Sequence, residues 1–196
     1  MHQGRCVVVR FYRAIGVGTF HHGTDLRTTG MSPRNPGGLY NPSSVIQHIA
    51  RGAINSPCIS LTKSYGVAED YARNASRALP TPSNPAYVYE IDIPDPPPTP
   101  VQVVDPVVFI SSHCPSPLTL ISYHHDGNQD FLLGVVNPAM ASSAPVRSPP
   151  GLGGGVKRPP NLTLELEAMV FALRDAEVLV VGNLPQTCVI NRYDVY

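Results

Sequence analysis

The chain lacks net charge, closely spaced cysteines and any long apolar run, and each absence narrows what it can do. Its 14 basic and 14 acidic residues cancel over 196 positions. A neutral balance gives no general electrostatic pull toward nucleic acid or an anionic membrane surface. No segment approaches the roughly 18 apolar residues needed to cross a bilayer. At the N-terminus the apolar run 6–9 is too short for a signal peptide. The expectation is a soluble protein of the cytoplasm, or one that leaves by a route without a cleavable signal. The cysteines, Cys6, Cys58, Cys114 and Cys188, are scattered with no CxxC spacing, which argues against a structural zinc site. Cys6, Cys58 and Cys188 stand in apolar runs and read as buried thiols, with a disulfide left open.

Proline is abundant instead, at 22 residues concentrated in 80–85, 94–100 and 145–160. Such stretches read as loops, because proline lacks the donor that helices and central strands need. Residues 139–160, rich in Ala, Ser, Pro and Gly, read as a flexible insertion. The length and the 42% apolar content suit a single domain over residues 1–196.

Residues 5–14, rich in valine and aromatics, read as a strand, and 16–38 as a long loop. Asn41-Pro42 starts a helix to about Arg51, and 56–62 reads as a second strand. Ser64 caps a helix to about Ala78, with Val67, Ala68, Tyr71 and Ala75 on one face. Strands are expected at 86–93, 101–110, 118–123 and 131–136. Leu162, Leu166, Met169, Val170 and Leu173 recur at helical spacing, before strands at 177–181 and 189–196. The pattern is α+β, or α/β without regular βαβ alternation.

Three polar groups fall at the ends of apolar runs. Arg13 follows Phe11-Tyr12, and its guanidinium can hold phosphate oxygens in a bidentate way; its plainer reading is a surface arginine closing a strand. Ser60 and Thr62 share a strand face, where a hydroxyl can orient a neighbouring charge or satisfy its own backbone. Glu177 opens an apolar strand, where a carboxylate can accept a bond from a ribose hydroxyl and stabilise positive charge developing on the sugar; otherwise it is a solvent-facing rim glutamate. Asp175, two residues earlier, could steer or deprotonate an acceptor.

In this order the set resembles the mono-ADP-ribosyltransferase family, specifically its cholera-toxin-like Arg–Ser–Glu branch. Phe11-Tyr12-Arg13 resembles the aromatic-arginine strand. Residues 56–64, followed by Val67-Ala68 and Tyr71-Ala72, resemble the hydroxyl strand and the helix behind it. Tyr87-Val88-Tyr89-Glu90-Ile91 resembles the central strand, and residues 176–185 the catalytic strand with its turn. Two positions depart from the pattern. Leu61 stands where the family usually has a small residue, and Asp175 stands where arginine-modifying members carry Glu or Gln. Glu165-Leu166-Glu167 offers a literal glutamate pair but lies in a helical pattern, so Glu177 is preferred.

The resemblance implies an ADP-ribosyltransferase-like split β-sandwich with flanking helices and NAD as co-substrate in the cleft, with no metal. It implies catalytic residues Glu177 and Asp175, and NAD contacts from Arg13, Ser60, Thr62 and an aromatic. Tyr71 is chosen for that aromatic, with Tyr65 and Tyr40 as alternatives. The expected activity is transfer of ADP-ribose to a macromolecular acceptor, a protein by preference, by a monomeric toxin or effector. An immunity or regulatory protein is an open further partner. An NAD glycohydrolase with the same site and a silent nucleotide- or partner-binding member remain alternatives. His21-His22-Gly23-Thr24 resembles the His-Gly-Thr of the diphtheria-like branch, under which His22 would anchor NAD in place of Arg13. His124-His125-Asp126 reads as a polar turn or, less readily, as metal ligands, because adjacent strand residues face opposite ways.

Overall fold

The computed structural model describes residues 7–52, 55–113 and 164–196. The expected strands at 118–123 and 131–136, the insertion at 139–160, Cys6, Cys114 and the His124-His125-Asp126 turn lie outside the described residues. Six strands form the sheet: β1 (Val7–Ile15), β2 (Cys58–Thr62), β3 (Ala86–Asp95), β4 (Gln102–Val104), β5 (Glu177–Val181) and β6 (Val189–Val195). Their order is β4-β5-β2-β1-β3-β6, antiparallel throughout. The helices are α1 (Leu26–Thr29), α2 (Pro42–Arg51), α3 (Tyr65–Asn74), α4 (Pro106–His113) and α5 (Leu164–Arg174), with a 3-10 turn at Gln186–Cys188. This is an α+β architecture. Among the described residues no helix is long and apolar enough to cross a membrane.

The helix boundaries follow from local chemistry. Asn41 and Ser44 cap α2 reciprocally, Pro42 occupies its first turn, and Gly52 ends it in the left-handed region at φ 62°. Ser64 Oγ accepts from Val67 N at the start of α3. Two expectations are corrected. Residues 101–110 are not one strand. Asp105 accepts from Val107 N and Val108 N, at 2.9 and 3.2 Å, and Pro106 begins a helix, so only Gln102–Val104 stays extended. The loop 16–38 contains α1, capped by Asp25.

The pairing is uneven. β1 and β3 are joined along their whole length, from Val7↔Asp95 to Ile15↔Tyr87, and β2 and β5 from Cys58↔Val181 to Thr62↔Glu177. β1 and β2 share only Tyr12↔Thr62. That register would match residues 7–11 to 63–67, but this segment turns away at Lys63 and enters α3. The sheet is continuous, and two well-laddered halves meet at one pair.

One face of the sheet buries Phe11, Ile15, Ile59, Leu61, Tyr89, Ile91, Val178 and Val180 against Leu26, Met31 and Leu184 of the covering segments. The other face is shared by two helix groups. On the β2–β5 half, α2, α4 and α5 pack Val45, Ile49, Ile110 and Phe171 over Cys58 and Leu179. On the β1–β3–β6 half, Ala68 and Ala72 of α3 pack over Val88 and Val195, with Tyr12 and Ala14 at the margin.

Candidate active site

The single pair between β1 and β2 is where the chemistry-bearing residues collect. Tyr12 pairs with Thr62, and Thr62 with Glu177, so these three make one row across three strands. Two strand spacings put the ends of that row at backbone positions roughly 10 Å apart. Alternation sends Arg13 to the face of β1 that carries Phe11 and Ile15, opposite Tyr12. Arg13 and Glu177 therefore leave from opposite faces of the sheet, with the parting between them.

Arg13 bridges that parting. Its Nη1 donates to the Ser60 carbonyl oxygen at 2.6 Å. Past the Tyr12–Thr62 pair the β1–β2 ladder leaves that carbonyl without a strand partner, and the guanidinium supplies the missing donor. The Ser60 hydroxyl meets His48 Nε2 of α2 at 2.8 Å. Ser60 thus ties β1, β2 and α2 together through two different atoms. His48 was not legible as part of the site, since it sits in an amphipathic helix 12 residues before its partner.

Thr62 fixes the approach to Glu177. Its Oγ1 donates to Asp175 O at 2.5 Å and accepts from Ser64 N at 3.0 Å. Lys63 N donates to Ala176 O at 3.1 Å. Ala176 is held at φ 45°, in the left-handed region that non-glycine residues seldom adopt. The corner that delivers Glu177 into β5 is therefore set by surrounding bonds rather than by its own preference. Glu177 is half-buried. Its charge is one of the causes that push the buried Cys58 thiol up, after burial itself. Cys58 and Cys188 are both free, buried and raised, which keeps them as inert packing thiols.

Asp175 and Tyr71 lie beside this corner but in a different arrangement. Arg174 Nε and Nη2 donate to the two Asp175 carboxylate oxygens at 2.6 and 2.9 Å. Tyr71 Oη donates to Asp175 Oδ2 at 2.6 Å and accepts from Arg174 Nη2 at 2.7 Å. The pair is largely buried, and the aspartate beside it raises the Arg174 guanidinium against the opposing effect of burial. Both oxygens of Asp175 and the hydroxyl of Tyr71 are engaged in clamping α3 to the α5–β5 corner. Of the candidate stacking rings, Tyr65 touches the row: it meets Tyr12 edge-on at 5.6 Å and Tyr193 at 5.5 Å. Tyr40 packs instead against Phe109 at 5.7 Å. Glu165 and Glu167 lie in α5, and Glu167 pairs with Arg51 at 2.9 Å.

The two adjacent histidines part ways. His22 Nε2 bonds Pro85 O at 2.9 Å and its ring stacks on Tyr87 at 5.2 Å. His21 Nε2 lies 3.0 Å from Ser32 O, so this nitrogen carries the proton. Burial, then the nearby Arg13 charge, lower the His21 pKa to about 4 against the opposing Ser32 bond. A histidine with a lowered folded pKa stabilises fully above its ordinary value near 6.5. That stability is lost as pH falls toward 4, because the unfolded chain takes the proton first. The loss expected from His21 between pH 6.5 and 4 is about 1–2 kcal/mol after allowance for partial exposure. Chemical denaturation of wild type and His21→Gln across that range checks it: the variant's stability should fall less steeply, and parallel curves contradict the assignment.

Among the described residues no three His, Cys, Asp or Glu side chains gather as metal ligands. Compared with protein-family models, curated proteins and solved structures, the chain has no significant match.

Proposed function

We propose that the protein is an NAD-dependent mono-ADP-ribosyltransferase of the toxin or effector kind, with an ADP-ribosyltransferase-like fold whose cleft is the parting between β1 and β2. The observation that carries this reading is the placement of Arg13, Ser60, Thr62 and Glu177 around the Tyr12–Thr62 pair, with Arg13 on one face of the sheet and Glu177 on the other, so that a shared ligand would pass through the parting. Arg13 neutralises the diphosphate, and Ser60, bonded to both Arg13 and His48, keeps it in register. Glu177 accepts a bond from the nicotinamide-ribose hydroxyl and stabilises the positive charge that builds on the sugar as its bond to nicotinamide breaks. Tyr65, beside the row, offers its ring to nicotinamide. Nicotinamide departs with the bonding pair. A nucleophile on the acceptor then attacks the anomeric carbon and gives up its proton.

Asp175 takes a positioning role. With both oxygens bound to Arg174 and Tyr71, it has no idle oxygen with which to steer a large acceptor. That observation favours a second reading, in which water is the acceptor and the enzyme is an NAD glycohydrolase. Incubation with NAD labelled in its adenylate half tests both. Label on a protein or other macromolecule supports the transferase, and free ADP-ribose alone supports the hydrolase. Intact NAD overturns both and leaves a nucleotide- or partner-binding member.

A further inference from the structure

The segment between β1 and α2 carries positive charge up to the parting, and it is held there firmly. Met31 and Leu184 exchange two backbone bonds of 2.8 Å. Gly30, at φ 72°, lies so close to Leu184 O that a Cβ would sit 2.4 Å from it. Two residues past Met31, Pro33 is buried, and Asn35 Nδ2 reaches Asn55 O at 3.4 Å, on the approach to β2. The His21–Ser32 bond closes the other side. Arg34 is thus fixed in backbone position between the approach to β2 and the Phe20-His21 turn, while its side chain stays exposed over the Phe20 ring at 5.7 Å.

The charges around it do not cancel. Arg34 lies over the Phe20 ring at 5.7 Å, that ring meets His21 at 4.6 Å, and Leu26 and Met31 of the same segment cover the sheet face that carries Arg13; the charges of both arginines act on His21. It donates to a carbonyl and brings no negative charge. Asp25, the acid closest in sequence, is claimed by Arg27 at 2.6 Å and faced by Arg192 at 3.8 Å. Among the described residues no carboxylate lies within ion-pair distance of Arg34. One guanidinium fixed in the parting, and a second able to swing toward it, suit an anion with at least two charges on adjoining groups.

We infer that Arg34 is a second phosphate-binding cation, acting with Arg13 on the diphosphate of a dinucleotide. The inference rests on the NAD reading above and adds a residue that the sequence resemblance does not supply. It fixes an order of affinity, ADP above AMP above adenosine, with Arg34 responsible for much of the first step. Calorimetric titration of wild type and Arg34→Ala with ADP and adenosine tests it. The variant should bind ADP about tenfold more weakly, the scale of one charge-assisted contact, and adenosine equally well. Its KM for NAD should rise by a similar factor with kcat unchanged. Because the side chain is exposed, the variant should fold normally, and Arg34→Lys should recover part of the ADP affinity.

Equal ADP affinity in wild type and Arg34→Ala overturns the inference, as does an equal loss for adenosine. Wild type that cleaves NAD with a KM insensitive to Arg34 overturns it while the enzymatic reading stands. Arg34-dependent ADP binding without any NAD cleavage supports the site and overturns the enzymatic reading.

Discussion

Glu177→Gln is expected to lower nicotinamide release by at least about a hundredfold, the usual scale for removing one group that stabilises charge in a transition state. The substitution keeps the shape and removes only the negative charge. Its site is set by bonds that do not involve its own side chain: Thr62 Oγ1 to Asp175 O, Lys63 N to Ala176 O, and the Thr62↔Glu177 pairing. An unchanged melting temperature in the variant shows that a loss of rate reports chemistry rather than unfolding. Binding of intact NAD should change far less than turnover, because the carboxylate matters most as the sugar becomes cationic. Turnover at the wild-type rate would remove Glu177 from the reaction.

Arg13→Lys is expected to cost roughly ten- to a hundredfold in kcat/KM for NAD, from the loss of charge-assisted bonds that a single ammonium does not reproduce. The guanidinium has two tasks. Its Nη1 supplies the donor that the β1–β2 ladder withholds from Ser60 O, and the rest of the fork carries charge toward the parting. A lysine can attempt one task at a time. The same variant should weaken ADP binding more than Arg34→Ala does, since Arg13 is fixed and Arg34 must swing inward. Unchanged KM and kcat would reduce Arg13 to a bond that closes the sheet.

Much of the framework was legible because its signals are local. The Asn41-Pro42 start, the Ser64 cap and the valine-rich runs of β1 and β5 each name their element. Val101 to Ile110 reads as one apolar strand by propensity, yet Asp105-Pro106 inside it is itself a helix start, and that local signal won. The candidate residues could be named from the sequence, but not their bonding. Asp175 looked available for an acceptor because its partners, Arg174 next door and Tyr71 at a separation of 104 residues, are chosen by packing. His48 and Arg34 carry no motif. His48 meets the parting because α2 lies over Ser60, and the role proposed for Arg34 depends on a segment that Met31 laces to Leu184.

The central claim is that Arg13 and Glu177 grip one dinucleotide through the parting of β1 and β2. A crystal structure of the Glu177→Gln variant with NAD tests it most directly. It should place diphosphate oxygens within hydrogen-bond distance of Arg13, and a nicotinamide-ribose hydroxyl of the same NAD molecule against the substituted side chain at position 177. NAD bound elsewhere, or touching only one of the two positions, would contradict it.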